Sequence, residues 1–207
     1  MKKSKRAKKS RTWVIKQHRD QFFKKAKVLG YRSRAAFKLL ELNKKFNFIK
    51  KNSNLLDIGS TPGGWSQVSS KIITSGKILA VDTKEMEEVE NVIFFKNDFL
   101  EKETQMKILK TFDAKIDVII SDMAENTTGN KSIDSIRTNN LCSTVINFSL
   151  KILNEKGTLI CKLFMGEDFL EVKNLAKNNF KKVDFFKPES SRSCLLYTSD
   201  AADEEDS

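Results

Sequence analysis

Short apolar runs alternate along this chain with stretches in which apolar side chains recur every three or four residues. The runs Asn54–Ile58, Lys77–Val81, Val92–Lys96, Asp117–Ser121, Gly157–Phe164 and Lys182–Lys187 predict β-strands. The segments Gly64–Ile73, Glu103–Lys110, Ser135–Leu153 and Asp168–Asn178 predict helices, with Gly76 and Gly157 punctuating helix-to-strand turns. Residues 31–47 predict one more helix: Ala36, Leu39 and Leu40 form an apolar strip, and Arg34, Lys38 and Glu41 share a polar face. Strands separated by helices mean βαβ units, hence an α/β fold with a mostly parallel sheet and helices on both faces. Beyond Ser193, Cys194–Ser199 can form a last, antiparallel strand, whereas residues 200–207 are an acidic run without periodicity.

Residues 55–68, Leu-Leu-Asp-Ile-Gly-Ser-Thr-Pro-Gly-Gly-Trp-Ser-Gln-Val, carry the first chemical signal. An apolar run ends in Asp57, glycines follow at 59, 63 and 64, and a helix begins. A strand that ends in a glycine-rich turn before a helix brings backbone N–H groups close to a nucleotide-like ligand. The spacing is neither G-x-G-x-x-G nor G-x-x-x-x-G-K-[ST]. A plain strand–helix turn does not require the Gly63-Gly64-Trp65 cluster, so a ligand loop is the better reading.

Open α/β sheets bind ligands at the carboxyl ends of their strands. Asp57, Asp82, Asp98 and Asp122 all fall at such ends. Asp82 can accept two hydrogen bonds from a ribose diol, and Asp98 one from an adenine amine. Each aspartate alone is more often a cap or turn former; four converging on one sheet edge beside the glycine loop are harder to dismiss. Lys162 lies in the apolar run Thr-Leu-Ile-Cys-Lys-Leu-Phe, where a lysine needs a partner, and Asp122 on the adjacent strand end is the natural one. Lys38 can reach the same pocket from the preceding helix. Desolvation and like-charge repulsion would then lower the pKa of one lysine, as a general base requires.

At 207 residues the chain is expected to be one domain. No apolar run reaches transmembrane length, and the lysine-rich start lacks the apolar stretch of a signal peptide, so no membrane partner and a cytoplasmic location are expected. Cys142, Cys161 and Cys194 are too scattered for a zinc motif and His18 is the only histidine, so no metal is expected. Residues 1–51 hold 19 Lys and Arg against only Asp20 and Glu41, a balance of +17; the whole chain is +11, so residues 52–207 carry −6. A basic arm on a mildly acidic domain fits a nucleic-acid partner. Residues 1–10 serve equally well as a solubilising or targeting tail, whereas Trp13, Val14, Ile15, Phe22, Phe23 and Phe37 add side chains able to pack or to stack on bases.

Four strings, Tyr31-Arg-Ser-Arg-Ala-Ala-Phe-Lys38-Leu39, Asp57-Ile-Gly-Ser-Thr-Pro-Gly-Gly-Trp65-Ser-Gln67, Ser121-Asp-Met-Ala124 and Lys162-Leu-Phe-Met-Gly-Glu167, occur in the order and at about the spacing of the FtsJ/RrmJ family, with Lys187-Pro-Glu-Ser-Ser-Arg192 following as in that family. The chain resembles that family over residues 11–192. The resemblance implies a Rossmann-like S-adenosylmethionine-dependent methyltransferase acting on a ribose 2′-hydroxyl of large-subunit ribosomal RNA, at a uridine near the peptidyl-transferase centre. It implies a catalytic set Lys38, Asp122 and Lys162, and a cofactor set Asp57, Gly59, Gly63, Gly64, Trp65, Asp82, Asp98 and Asp122. A fourth catalytic group, a glutamate on the final strand, is not matched: the chain has Cys194-Leu-Leu-Tyr-Thr198 there and no carboxylate before Asp200. Glu125 also replaces a usual proline, and Ser60-Thr61 a commoner small pair. The expected organisation is a basic arm (1–30), a methyltransferase domain (31–193) and an atypical acidic tail (194–207) that looks like read-through of a cloning or sequencing adapter rather than native sequence. A monomer is expected. The competing readings are an RNA-binding ribosome-assembly module with weak or no activity, and a tRNA ribose methyltransferase.

Overall fold

Seven strands form a single sheet in the order β3-β2-β1-β4-β5-β7-β6. They are β1 (Leu55–Ile58), β2 (Ile78–Asp82), β3 (Val92–Lys96), β4 (Ile116–Ser121), β5 (Leu153–Leu163), β6 (Lys182–Phe186) and β7 (Cys194–Ser199). The helices are α1 (Gln21–Val28), α2 (Ala35–Phe46), α3 (Gly64–Ile72), α4 (Lys102–Thr111), α5 (Lys131–Ile152) and α6 (Phe169–Asn179). This computed structural model describes residues 20–112, 115–125, 128–191 and 194–199. The expectations for residues 1–19 of the arm and for 200–207 of the tail lie outside the described residues. β1 to β5 pair in parallel; β7 is antiparallel to both β5 and β6.

Both faces of the sheet are buried, and the two-residue period of a strand sorts side chains between them. Leu56, Ile58, Leu79, Ile119, Leu159, Cys161 and Leu196 join one core with α4, α5 and α6. Leu55, Ile78, Val118, Ile120, Ile160 and Leu195 join the other, with Leu39 and Leu42 of α2 and Trp65 and Val68 of α3. By the same alternation Asp57, Asp122 and Lys162 fall on the α2/α3 face. The chain order reverses direction between β1 and β4, which sets the ends of those two strands side by side at the topological switch point.

Three expected boundaries shift. Residues 31–34 are a turn and α2 begins at Ala35: Ala36 N and Phe37 N bond back to Ser33 O and Arg34 O, three residues earlier, as in a turn, while Tyr31 N and Arg32 N are tied to Ala26 O and Gln67 Oε1. β5 begins at Leu153, which pairs with Ile116 across an irregular register. Within the basic 1–30 segment, α1 is capped by Asp20 and rests on α2 through buried Ala26 and the Phe22–Phe37 ring contact. The sheet also continues past residue 193: Cys194–Ser199 is the antiparallel strand between β5 and β6, with Leu195 and Leu196 fully buried.

Candidate active site

β1 delivers the glycine loop to the switch point. Gly59 adopts φ +76°, its N–H donates to Val81 O at 2.8 Å, and a Cβ there would collide with the Met123 side chain. Gly63, the N-cap of α3, has φ +102°, and a Cβ on it would lie 2.8 Å from Arg32 Nη1 and 3.1 Å from Met86 Sδ. No side chain caps α3, and its first intrahelical bond runs from Gln67 N to Gly63 O, so the first-turn N–H groups open onto the loop at the positive end of the helix dipole. Ser60 Oγ is buried there without a partner. Left-handed glycines that keep side chains out of the turn, open backbone donors, an orphaned hydroxyl and neighbouring carboxylates make a cradle that fits a polar, cationic nucleoside such as S-adenosylmethionine.

The expected cofactor residues divide between this cradle and its supports. Asp82 ends β2, and its two carboxylate oxygens accept from Thr61 N (2.9 Å) and Lys84 N (2.8 Å), tying the β2 end to the glycine loop. Asp98 lies just past β3, partly exposed, and accepts from Leu100 N at 2.9 Å. Asp57 is only 1% exposed and accepts from Ser66 Oγ at 2.6 Å, so its carboxyl braces the loop against α3. Burial, helped by the Asp122 and Asp82 charges and opposed by the Ser66 bond, pushes Asp57 up to about 7. The Trp65 ring is turned inward and its indole N–H donates to Ala35 O at 2.7 Å, docking α3 on α2.

The three expected catalytic side chains meet. Lys38 Nζ donates to Asp122 Oδ2 at 2.8 Å. Lys162 Nζ lies 2.9 Å from Asp122 Oδ1 and donates to Asp122 O at 2.8 Å. None of the three side chains is more than 19% exposed. Burial alone would raise the Asp122 carboxyl, but the two ammoniums beside it more than offset this and hold it below the usual carboxylate range. Lys38 is pulled below an ordinary lysine by burial first, then by the Lys162 and Arg34 charges, with Asp122 opposing. Among the described residues no carboxylate takes the fourth position: the β7 face shared with Lys162 carries Leu195, which is its ladder partner, and Tyr197.

Several supports were not visible in the sequence. Glu41, one turn beyond Lys38, accepts from Glu189 N (2.7 Å) and Ser190 N (3.2 Å), and Arg34 donates to Ser190 O and pairs with Asp20. These bonds hold the 187–191 loop and the start of α1 against α2. Arg32 bridges to Glu87 O and Glu88 O, each at 2.6 Å. Asn139, fully buried on α5, bonds to the chain just beyond Lys162. The signal for it was available: an amide stands among the inward positions Ser135, Thr138, Cys142, Val145 and Ile146 of the helix, where a buried polar group needs partners.

Clefts of about 580, 500 and 390 Å³ lie at the opposite edge of the sheet, among residues such as Asn54, Lys77 and Asn91, Lys115 and Asn154, or Phe46, Asp117 and Tyr197. None of them is lined by Lys38, Asp122, Lys162 or the glycine loop, which lie at the carboxyl edge. Among the described residues, no cluster of three or more His, Cys, Asp or Glu is placed to hold a metal, and no helix is long and apolar enough to cross a membrane.

A mostly parallel seven-stranded sheet flanked by helices, with a glycine loop at its switch point, is the architecture of the Rossmann-like S-adenosylmethionine-dependent methyltransferases. The chain belongs to the FtsJ-like methyltransferase family, whose pattern matches residues 31–194, and it is a methyltransferase. It is 45% identical over 183 residues to the ribosomal RNA large subunit methyltransferase E of Pelagibacter ubique, covering 88% of this chain and 90% of that one. It is 44% identical over 195 residues to the protein of the same name in Rickettsia akari, covering 91% and 86%. Among solved structures, one from Plasmodium falciparum described as a ribosomal RNA methyltransferase superposes with a TM-score of 0.74 at 35% identity, covering 82% of this chain and 97% of that one. The human methyltransferase-like protein 13, in complex with S-adenosylhomocysteine, shares the fold with a TM-score of 0.59 at 16% identity, covering 83% and 81%.

Proposed function

We propose that this protein transfers a methyl group from S-adenosylmethionine to the 2′-hydroxyl of a uridine in large-subunit ribosomal RNA. The observation that carries the reading is the Lys38–Asp122–Lys162 cluster beside the glycine loop. When bound, the cofactor supplies a methyl group already activated on a sulfonium. The protein then has two tasks: to align the ribose oxygen and to take its proton. Gly59, Gly63, Gly64 and the Trp65 backbone would hold the cofactor's amino-acid end, with Asp82 on the ribose hydroxyls and Asp98 on the adenine amine. Asp57 supports the loop from within.

Burial and the neighbouring Lys162 and Arg34 charges lower the hold of Lys38 on its proton, so the charge beside Asp122 is the more easily reduced. Lys162 is the proposed acceptor because its amine is anchored twice, on the Asp122 carboxylate and the Asp122 carbonyl. Two anchors leave one direction at the nitrogen free, which is what alignment with a hydroxyl needs. Asp122 orients it and Lys38 sets the charge balance. The rRNA substrate is supported by the names of the relatives and by the basic amino-terminal segment.

The test is tritiated methyl transfer to undermodified large ribosomal subunits, with transfer RNA as the competing acceptor and 2′-O-methyl mapping of the product. Lys162→Ala is expected to lower the single-turnover rate at least a hundredfold while sparing calorimetric cofactor binding. Lys162→Arg is expected to fail as well, since a guanidinium does not give up its proton. Parent-like turnover by Lys162→Arg would move the base to another group.

A further inference from the structure

We propose that Asn139 is a positioning residue for Lys162, acting by pairing the free end of β5. The inference rests on the reading of Lys162 as the proton acceptor. β5 is held on one side by β4 only as far as the Ser121–Cys161 pair, and on the other by β7 only as far as Leu163–Cys194. Lys162 therefore stands one residue past the end of the β4 ladder and one before the last β7 pair. The next residue with open backbone groups, Phe164, is bonded by a side chain instead of a strand. Phe164 N donates to Asn139 Oδ1 at 2.9 Å, and Asn139 Nδ2 donates to Phe164 O at 3.0 Å.

The amide thus presents a donor and an acceptor to both polar groups of one residue, as an adjoining strand does. Its second N–H goes to Asp168 Oδ1 at 3.0 Å, which draws the 164–168 turn back over α5. The turn can lie this close because residue 166 is glycine, where a Cβ would run into Ser135. Asn139 has 0% exposure, so it exerts this hold from inside the core, on the 22-residue helix that packs against β5. A buried amide with both donors and its acceptor engaged is a fixed object. Lys162 needs such a reference, because its ammonium meets Asp122 at two points within 2.9 Å. A strand end that frays by an ångström keeps the lysine in the pocket but loses its aim.

The experiment compares Asn139→Ala and Asn139→Asp with Lys162→Ala in single-turnover methyl transfer to undermodified large ribosomal subunits. Asn139→Asp retains the acceptor for Phe164 N but loses both donors. Both Asn139 variants are expected to slow transfer tenfold or more at saturating substrates and to shift the inflection of the pH–rate profile. The apparent KM for the particle and the calorimetric Kd for S-adenosylmethionine should stay within twofold of the parent. Parent-like turnover by folded Asn139→Ala, with Lys162→Ala inactive, overturns the inference and leaves the reaction intact. Parent-like turnover by Lys162→Ala overturns the reading beneath it. A uniform loss of rate, KM and cofactor affinity also overturns the inference, since it marks general damage. If Asn139→Ala does not fold, Asp168→Ala removes one of the three bonds from its far end. A several-fold drop in rate at unchanged KM then supports the inference, and an unchanged rate overturns it.

Discussion

Asp57 carries a carboxyl group buried to 1% exposure that nonetheless titrates near neutrality. Its folded value of about 7 lies above the ordinary 3.8, so between those limits the folded protein binds more protons than the unfolded chain. The stability due to this group is fully present below about pH 4 and is lost as pH rises toward 7. Asp57→Asn keeps an oxygen for Ser66 Oγ and removes the titration. Between pH 5 and 8 the parent is therefore expected to lose about 1–3 kcal/mol more stability than Asp57→Asn, read from urea unfolding midpoints. Asp122 behaves oppositely, for its folded carboxyl is held low by two ammoniums and its contribution is lost only as pH falls into the acid range. The two aspartates were alike as sequence signals, each ending an apolar strand. What separates them is company: a serine hydroxyl for one and two lysines for the other.

At the scale of elements, α2 is the part of the site that could be followed furthest from sequence. The helical period groups Arg34, Lys38 and Glu41 on one face, and that face does turn toward the site. Their partners were not legible, because Ser190 and Glu189 lie about 150 residues away and reach α2 only when β6 and β7 close the sheet. Glu41→Ala would leave two backbone N–H groups without their acceptor. It is expected to cost about 2 kcal/mol in urea unfolding and to speed amide exchange at Glu189 and Ser190, with α3 unaffected. The glycine loop was legible in place and kind, yet the inward turn of Trp65 was not. An aromatic in a ligand loop suits stacking as well as packing, and the Ala35 carbonyl that captures its N–H belongs to another helix. Asn139 was missed although its helical spacing with Ser135, Thr138 and Cys142 marks it as inward, because spacing does not say which backbone groups an inward amide meets.

At the scale of the molecule, charge and fold are separate arguments. The proposed rRNA substrate would find phosphate partners in the basic excess of residues 1–51, and Asp20–Val28 of that stretch is docked on α2 through Arg34 and Phe37. A deletion meant to test RNA binding should therefore stop before Asp20. Removing residues 1–19, which hold nine Lys and Arg and no acidic residue, is expected to weaken RNA binding and flatten its dependence on salt. Cofactor affinity and thermal midpoint should stay near those of the parent. An unchanged salt slope would show that these residues only solubilise the chain.

The order of strands and helices, the glycine loop, the carboxylates at the strand ends and the odd placement of Lys162 in an apolar run all follow from local pattern, while the grouping of Lys38, Asp122 and Lys162 as a catalytic set came from the family resemblance. Each local signal rests on spacing within one element, and spacing is what a linear chain records. The tertiary structure decided the rest. It brought both lysines onto one carboxylate, turned the Asp82 carboxylate onto the glycine loop, and buried between β5 and β6 the Cys194–Ser199 strand that the sequence could only offer. Those outcomes depend on which side chains arrive beside one another when β4, β5 and β7 pair and α2 folds over their ends, and desolvation and Coulomb energy exist only after that arrival.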